Sequence, residues 1–389
     1  MISVQEAQKK IEKNTARLNP VLKSVENALD QILSEDVISP IHMPPFSQSA
    51  MDGYALGSDA ETFKLIGEIQ AGDDATEMRL KKDEAMRIFT GAMIPRDTFA
   101  IAKQEIVENN QSTVRITEKQ KYEQNIRPLG EQIKKGNIAL PKGTSITAGS
   151  AGFLYTLGIN RVKVFRKPKI TILSTGNELV APGQQLTPGK IYESNTYTLK
   201  TALKKLGIQV AIHSVDDNYE ATKSSLKVSL AECDMLITTG GISVGDYDFV
   251  GKAMNEVGVE SIFYKVKQKP GKPIFFGKYN ATMVFGLPGN PAAALSCFYM
   301  YVIPAIRKMC GYEDVSLEKR TLQLTANYSK SKNLTHFLKA RCESNEVTIL
   351  SAQSSAMLSS FANANCLACM PENQIEWNKG DSIEVYMLP

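Results

Sequence analysis

Apolar residues recur along the chain at two spacings, one typical of helices and one typical of strands. The changes between them mark the predicted domains. Residues 3–18 place apolar side chains at helical spacing, and Ser24 is predicted to cap a second helix that carries residues 25–33. From Phe63 to about Thr117, short runs of alternating apolar and polar residues are separated by polar turns. Such runs are typical of strands, so this part is predicted to be a small β-rich domain.

After Pro168, strand-like and helix-like segments alternate, which is typical of a doubly wound α/β sheet. Short alternating strands return near the C-terminus and predict an all-β domain there. The pattern between Ile138 and Val164 resumes the N-terminal part, so the β-rich piece is predicted to be an insertion. The chain is therefore predicted to be a multidomain α/β protein with a central doubly wound α/β domain, an inserted β-rich domain and a C-terminal all-β domain. The predicted boundaries are residues 1–45 with 137–167 for a discontinuous N-terminal domain, 46–136 for the insertion, 168–315 for the α/β domain and 316–389 for the β domain.

Residues 234–291 concentrate the groups that could carry chemistry. An apolar strand breaks into a glycine turn, four lysines surround a Pro-Gly turn, and a second apolar strand ends in an LPGNP turn before a long helix predicted over Pro291–Cys310. Backbone amides, cations and carboxylates at neighbouring strand ends suit a phosphorylated ligand with a divalent cation. The candidate ligand-binding residues are Gly240, Gly241, Ser243, Gly245, Asp246, Lys265, Lys269, Lys272, Pro288, Gly289, Asn290 and Pro291.

Each of these features also has an ordinary structural explanation. A glycine pair after a strand is usually only a turn, a lysine cluster is usually a solvated face, and aspartates near glycines are common in turns. Their conjunction within one short stretch favours a site. Glu178 and Asp216 follow two further predicted strands, so the same crevice can include them.

Composition narrows the class of protein. The 389 residues carry a formal net charge of only +4, and no basic run with interleaved aromatic residues predicts a nucleic-acid partner. No apolar stretch is long enough to cross a bilayer and the first residues are polar, so we predict a cytoplasmic protein without a membrane partner. The close pair Cys366 and Cys369 lies in an apolar run, which indicates buried strand thiols rather than zinc or redox chemistry.

Common catalytic motifs are missing from the sequence. There is no Walker A motif, no dinucleotide fingerprint after a strand, no nucleophile elbow and no HExxH. The three histidines are scattered, which disfavours zinc binding or histidine base catalysis. Carboxylates, lysines and backbone amides remain. This set supports metal-assisted hydrolysis or transfer at a phosphoanhydride.

The segments TTGGISVGDYD, KPGKP, GLPGNP, SAMDGYA, RIFTGAMIP, STGNEL and SVDDN occur in an order that resembles the molybdopterin molybdotransferase family. The resemblance covers essentially the whole chain. It implies a four-domain, elongated homodimer that binds adenylylated molybdopterin. It further implies hydrolysis of the phosphoanhydride with Mg²⁺ and insertion of molybdate into the dithiolene, which releases AMP and molybdenum cofactor. The implied protein partners are the molybdopterin adenylyltransferase and acceptor molybdoenzymes.

The resemblance also implies roles for individual residues. The implied catalytic residues are Asp52, Thr90, Glu178, Asp216 and Asp248. Mg²⁺ would be held by Glu178, Asp216 and Asp248, and molybdate by Lys269, Lys272 and Ser355. The serine-rich tail segment also contains Ser354, Ser359, Ser360 and Asn365.

Two residues depart from the family pattern. Gln132 replaces a carboxylate, which puts a metal or proton-handling role there in doubt, and Ala293 replaces a small hydroxyl residue, which weakens one oxyanion contact.

Two alternative functions fit the sequence less well. The first is that of the related adenylyltransferase, which resembles only Pro168–Cys310 and lacks the insertion and the β tail. A non-catalytic scaffold is disfavoured because the acid and lysine set is almost intact.

Overall fold

A computed structural model of the chain describes residues 1–216, 218–241, 249–331 and 333–389. The chain forms two compact units. One contains Met1–Val21 with Phe165–Pro389, and the other contains Leu22–Val164. The four-domain division made from the sequence stays a prediction.

The elements are numbered in chain order. The α-helices of the described residues are α1 Val4–Asn14, α2 Ala148–Thr156, α3 Asn195–Lys205, α4 Tyr219–Glu232, α5 Phe249–Glu256, α6 Pro291–Cys297 and α7 Ile303–Met309. The strands of the first half are β1 Pro20–Ser24, β2 Val37–Ile38, β3 Gln48–Ser49, β4 Gly53–Leu56, β5 Thr62–Ile69, β6 Glu84–Ile88, β7 Ala100–Lys103, β8 Val107–Asn110, β9 Thr113–Ile116, β10 Ile126–Arg127, β11 Ile138–Leu140 and β12 Arg161–Phe165. Those of the second half are β13 Ile170–Thr175, β14 Leu179–Val180, β15 Ile191–Tyr192, β16 Val210–Val215, β17 Met235–Thr239, β18 Glu260–Tyr264, β19 Gln268–Lys269, β20 Phe275–Tyr279, β21 Thr282–Leu287, β22 Lys319–Leu324, β23 Tyr328–Ser329, β24 Thr335–Glu343, β25 Glu346–Ile349, β26 Cys366–Met370, β27 Glu376–Trp377 and β28 Ser382–Met387.

A six-stranded sheet, in the order β16-β13-β17-β21-β20-β18, forms the centre of the first unit. The first four strands run parallel, and β20 and β18 continue antiparallel. Helix α3 contributes Leu199 and Leu203 to the core on one face, and α4 contributes Leu226 and Leu230 to the core on the other. Alternate residues of β17 enter these two cores, as the period of a strand requires. The predicted doubly wound α/β domain is confirmed.

The strand order identifies where a ligand would bind. The chain leaves β13 through α3 to reach β16 on one side, then returns through α4 to β17 on the other side of β13. The order therefore reverses between β13 and β17. In open α/β sheets, ligands bind outside the carboxyl ends of the strands at such a switch point.

The C-terminal strands form a barrel-like sheet within the same unit. Strands β24, β25, β22, β28 and β26 pair in sequence, and β26 pairs back to β24, which closes the ring. Strand β19 of the α/β part adds to β24 in parallel register. Cys366 is buried and Cys369 half-buried in β26, both as free thiols, as predicted. No helix among the described residues is long and apolar enough to cross a bilayer.

The second unit contains a six-stranded sheet in the order β7-β4-β6-β5-β9-β8, so the predicted β-rich character of this part is confirmed. The helix predicted after Ser24 is wrong. A single 3₁₀ turn, Glu26–Ala28, follows Ser24, and the next residues extend so that their backbone groups pair with residues 144–146. Asp30 has a left-handed φ of 58°, a conformation that ends a helix.

Two other predicted helices are shorter or broken in the structure. Helix α1 begins after Ser3, whose hydroxyl accepts the Glu6 N–H, and it ends at Asn14 rather than at residue 18. The helix expected over Pro291–Cys310 is divided into α6 and α7 by a π-helical segment, Phe298–Val302. Segments of π-helix are frequent at functional sites.

Candidate functional site

A cleft of about 700 Å³ opens at the carboxyl ends of β13, β17 and β21. This is the switch point of the central sheet. The cleft is lined by Thr175, Gly176, Glu178, Leu179, Ile191, Tyr192, Glu193, Ser194, Asn195, Thr239, Gly240, Gly241, Pro273, Pro288, Gly289, Asn290, Pro291 and Ala356. The predicted ligand-binding residues of the glycine turn and of the LPGNP turn that the structure describes therefore line one cleft.

The glycine pair after β17 has a steric basis. Gly240 donates its N–H to the Leu287 carbonyl at 3.3 Å, which joins the ends of β17 and β21. Gly241 has a φ of +61°, and a Cβ there would lie only 2.4 Å from the Val250 Cγ2 at the start of α5. A larger residue would push α5 away, so the close approach requires glycine.

Two predicted acids lie at neighbouring strand ends. Glu178 follows β13, and its carboxylate lies over Gly176, where a Cβ would be 2.8 Å from the Glu178 Oε2. Asp216 follows β16 and lines an adjoining cleft of about 260 Å³, which shares Gly176, Leu179 and Glu193 with the larger one. Both side chains are exposed. The two acids therefore line two adjoining clefts, and their grouping in one crevice stays a prediction.

The C-terminal barrel supplies one side of the cleft. The Asn290 Nδ2 donates to the Ser355 Oγ at 2.9 Å, and the Ala293 N–H donates to the Ser355 carbonyl at 3.1 Å. Ala293, noted as a departure from the family pattern, is buried, and its backbone rather than its side chain makes this contact. The serine segment thus lies against the LPGNP turn.

The predicted lysines lie beside this cleft and do not line it. Lys269 and Lys272 are exposed on the Pro-Gly turn, while Pro273 is the member of that segment that reaches the cleft wall. Lys265 is half-buried with a φ of 68°, and its ammonium lies 4.8 Å from the centre of the Tyr264 ring. The lysines therefore do not line the cleft, and Lys272 is connected to its wall only through the neighbouring Pro273.

Asp52 and Thr90 meet in the second unit. The Asp52 Oδ1 accepts hydrogen bonds from the Thr90 N–H and the Thr90 hydroxyl, both at 2.7 Å. These bonds, the backbone one first, lower the pKa of Asp52 below its ordinary value, and Arg87 adds to the effect. Asp52 is therefore an ionised, oriented acceptor at neutral pH.

Some predicted residues cannot be placed. Ser243, Gly245, Asp246 and Asp248 lie outside the described residues, so the glycine turn is described only up to Gly241. Within the described ranges, no three His, Cys, Asp or Glu side chains cluster as a ready metal site.

The sequence reasoning missed three polar residues that line the two clefts, Glu193, Asn195 and Thr196. They lie at the start of α3, at the end of the polar segment that connects β13 to this helix. The available signal was the YESN run immediately before a helix, where polar residues commonly cap the first turn.

Three family models match consecutive parts of the chain. The MoeA N-terminal region (domain I and II) matches residues 2–158, a probable molybdopterin binding domain matches residues 171–308, and the MoeA C-terminal region (domain IV) matches residues 321–388. Fold and cleft thus define a multidomain protein built on an α/β domain of the molybdopterin-binding class.

Similar proteins agree with these models over nearly the full length. The molybdopterin molybdenumtransferase of Haemophilus influenzae is 36% identical, covering 93% of this chain and 92% of that protein, and the one of Staphylococcus epidermidis is 32% identical over 99% and 95%. The structure of a molybdopterin biosynthesis MoeA protein from Pyrococcus horikoshii superposes with a TM-score of 0.87 at 29% identity, covering 100% of this chain and 99% of that one. The chain belongs to the molybdopterin molybdenumtransferase family, which confirms the resemblance carried by its motifs.

Proposed function

We propose that the protein is a molybdopterin molybdotransferase that hydrolyses adenylylated molybdopterin and inserts molybdate into its dithiolene, which yields AMP and molybdenum cofactor. The observation that supports this most directly is the cleft at the switch point. Gly176, Gly240, Gly241 and Gly289 line it, together with Glu178, and Asp216 lines the adjoining cleft. The exposed Lys269 and Lys272 belong to the turn whose Pro273 reaches its wall. Backbone amides and cations bind phosphate oxygens, while carboxylates hold a hard cation or orient an attacking oxygen.

The donor set of the cleft suits Mg²⁺. Carboxylate oxygens of Glu178 and Asp216 are the ligands that Mg²⁺ prefers, and Asp248, outside the described residues, is proposed as the third. A bound Mg²⁺ would neutralise charge that develops on the phosphoanhydride oxygens. Because Mg²⁺ takes six ligands and keeps several waters, substrate phosphate and water would fill its remaining positions.

The other side chains of the proposed site bind and orient the substrate. Lys269 and Lys272, compact cations on a fixed turn, bind phosphate and molybdate oxygens. Water attacks at a phosphorus of the P–O–P link, the bond to the bridging oxygen breaks, and AMP leaves with that oxygen or with the incoming one. Asp52, which Thr90 keeps ionised, contributes an acceptor through the homodimer that we propose. Gln132 in place of a carboxylate leaves this part of the site with an uncharged amide.

The test is a single-turnover assay of AMP release from adenylylated molybdopterin with Mg²⁺ and molybdate. We expect release that depends on both ions and is accompanied by molybdenum cofactor able to activate an apo-molybdoenzyme. Protein that binds the substrate but releases no AMP under these conditions would contradict the proposal. Synthesis of the adenylylated substrate from ATP would instead support the adenylyltransferase.

Lys269→Ala provides the matching variant. A hydrogen bond between a cation and phosphate contributes about 1.5–3 kcal/mol, so substrate should bind about one to two decades more weakly. Lys227→Ala, at an exposed lysine of α4, is the control and should bind as the wild type does. Equal affinity in both variants would remove Lys269 from the proposed site.

A further inference from the structure

Glu193 is a buried carboxylate whose two oxygens differ in their contacts with the described residues. Only 9% of the residue is exposed, yet it lines both clefts. Its Oε1 accepts the Thr196 N–H at 2.8 Å and so fixes the start of α3, whereas its Oε2 has no hydrogen-bond partner among the described residues. A buried charged oxygen without a partner is costly, so a ligand donor is the expected complement.

Asn195 presents a second unused acceptor in the same cleft. Its Nδ2 donates to the Gly289 carbonyl at 2.7 Å, and because only the NH₂ end can donate, this bond fixes the amide orientation. Its Oδ1 is buried and, within the part of the chain that the structure describes, accepts no hydrogen bond. Two acceptors without a described partner, a carboxylate oxygen and an amide oxygen, therefore belong to residues that line one cleft within three residues of sequence.

The chemistry of this pair excludes an anion and favours a flat donor edge. A phosphate or molybdate oxygen would be repelled by the carboxylate. The divalent cation of the proposed function is assigned to Glu178 and Asp216, so the complement of this pair is sought among neutral donors. Two neighbouring N–H groups on one ring, an amidine-like edge, satisfy a carboxylate and an amide oxygen together.

We propose that Glu193 and Asn195 form an acceptor pair that binds the N–H and NH₂ edge of a 2-amino-4-oxopyrimidine ring, with the Glu193 Oε2 on the amino group and the Asn195 Oδ1 on the ring N–H. This rests on the proposed function, whose substrate carries that edge at its pterin end. The adenine end presents one donor beside one acceptor and does not match. The pair thus sets the direction in which the substrate lies, with the pterin against the start of α3.

The test compares two fluorescent pteridines that differ at one position. Pterin has an amino group at carbon 2, and lumazine has a carbonyl there. We expect the wild type to bind pterin about tenfold more tightly, equivalent to about 1.4 kcal/mol. A wild type that binds both equally overturns the proposal without any variant.

Glu193→Gln sharpens the test, because it keeps the acceptor for the Thr196 N–H and replaces the unused oxygen with an NH₂ donor. We expect pterin to bind about tenfold more weakly to E193Q, equivalent to about 1.4 kcal/mol, and lumazine more tightly, so that the preference reverses. A misfolded variant cannot gain affinity. Glu232→Gln, at an exposed glutamate ending α4, is the control and should keep the wild-type preference.

AMP serves as a third probe. Its affinity should be the same in the wild type and in Glu193→Gln. Loss of AMP binding with intact pterin preference would overturn the assignment. The wild-type assay of AMP release, run in parallel, separates the two proposals. Turnover without pteridine selectivity contradicts only the acceptor pair, whereas selectivity without turnover contradicts the proposed function.

Discussion

Two segments beside the cleft are built in opposite ways. Under the Pro-Gly turn, the buried Gln268 side chain has every group in use. Its Nε2 donates to the carbonyls of Pro270 and Gly271 and to the Cys297 Sγ, and its Oε1 accepts the Tyr301 hydroxyl. At the start of α3, in contrast, Glu193 and Asn195 each leave a buried oxygen unused among the described residues.

This difference in hydrogen bonding distinguishes a scaffold, the Gln268 network, from a recognition surface, the start of α3. A buried polar network that is fully satisfied is rigid, so the Gln268 network fixes the backbone on which Lys269 and Lys272 stand. A buried group without a partner is retained against its cost only where something else supplies the bond. The turn therefore positions charges outward, and the start of α3 is left to be completed by the ligand.

The largest expected effect on stability is that of Gly271→Ala, which disrupts the Gln268 network directly. Gly271 has a φ of +82°, and a Cβ there would lie 2.3 Å from the Cys297 Sγ and 2.9 Å from the Gln268 Nε2. Left-handed strain of about 1–2 kcal/mol and overpacking of about 1–3 kcal/mol should together lower the free energy of unfolding by about 2–5 kcal/mol. Urea unfolding measures this.

Gly183→Ala is the matched control for that substitution. Gly183 has a φ of +91°, and no atom of the described residues lies within 4 Å of where its Cβ would be, so alanine there carries the backbone strain without the collision. We expect it to cost only the strain, about 1–2 kcal/mol. Equal costs at both positions would show that the contact with Cys297 and Gln268 does not constrain the turn.

A smaller effect is expected from His336, which pairs in register with Lys269. Burial, and then the charges of Lys330 and Lys269, lower the pKa of His336 from 6.5 to about 4. The native state therefore keeps this side chain neutral while the unfolded chain takes up a proton below pH 6.5. The stability associated with it is present above pH 6.5 and is lost as the pH falls towards 4.

His336→Asn should remove this pH dependence. Between pH 7.5 and pH 5 the wild type should lose about 2 kcal/mol more of its free energy of unfolding than the variant does. Parallel unfolding curves at the two pH values give the difference. An identical loss in both proteins would mean that His336 titrates as it does in the unfolded chain.

The sequence predicts the scaffold of this site better than its recognition surface. The apolar runs that become β13, β17 and β21 are buried at nearly every position, so their strand character and the glycine turns after them are local signals. The Gln268 network was not predictable, because it joins residues 268, 297 and 301 through a π-helical segment that appears only on folding.

Glu193 and Asn195 show why the recognition surface could not be predicted from the sequence. Polar residues before a helix are ordinary caps, and one Glu193 oxygen does hold the Thr196 N–H. That the other oxygen is buried without a partner among the described residues depends on the folded chain, in which residues of β14, β15 and the LPGNP turn line the same cleft as Glu193. The failed helix after Ser24 has the same cause, since pairing with residues 144–146 overrode the local helical spacing.

The smallest expected effect on stability is that of replacing Ser355, which connects the C-terminal barrel to the LPGNP turn. Its segment is fixed independently, because the buried Lys339 Nζ donates to the carbonyls of Ala352, Ser354 and Met357.

Ser355→Ala should therefore lower the free energy of unfolding by only about 0.5 kcal/mol, the lower end for a single hydrogen bond. Ligand affinity should respond more. The Ser355 Oγ accepts the Asn290 Nδ2, and in the ranges the structure describes no acceptor faces its own proton, so the O–H is available to an oxyanion. We expect molybdate to bind about three- to tenfold more weakly, whereas Ser359→Ala, at an exposed serine of the same segment, should leave it unchanged. Equal molybdate affinity in the two variants would show that Ser355 only holds the LPGNP turn through Asn290 and does not bind the oxyanion.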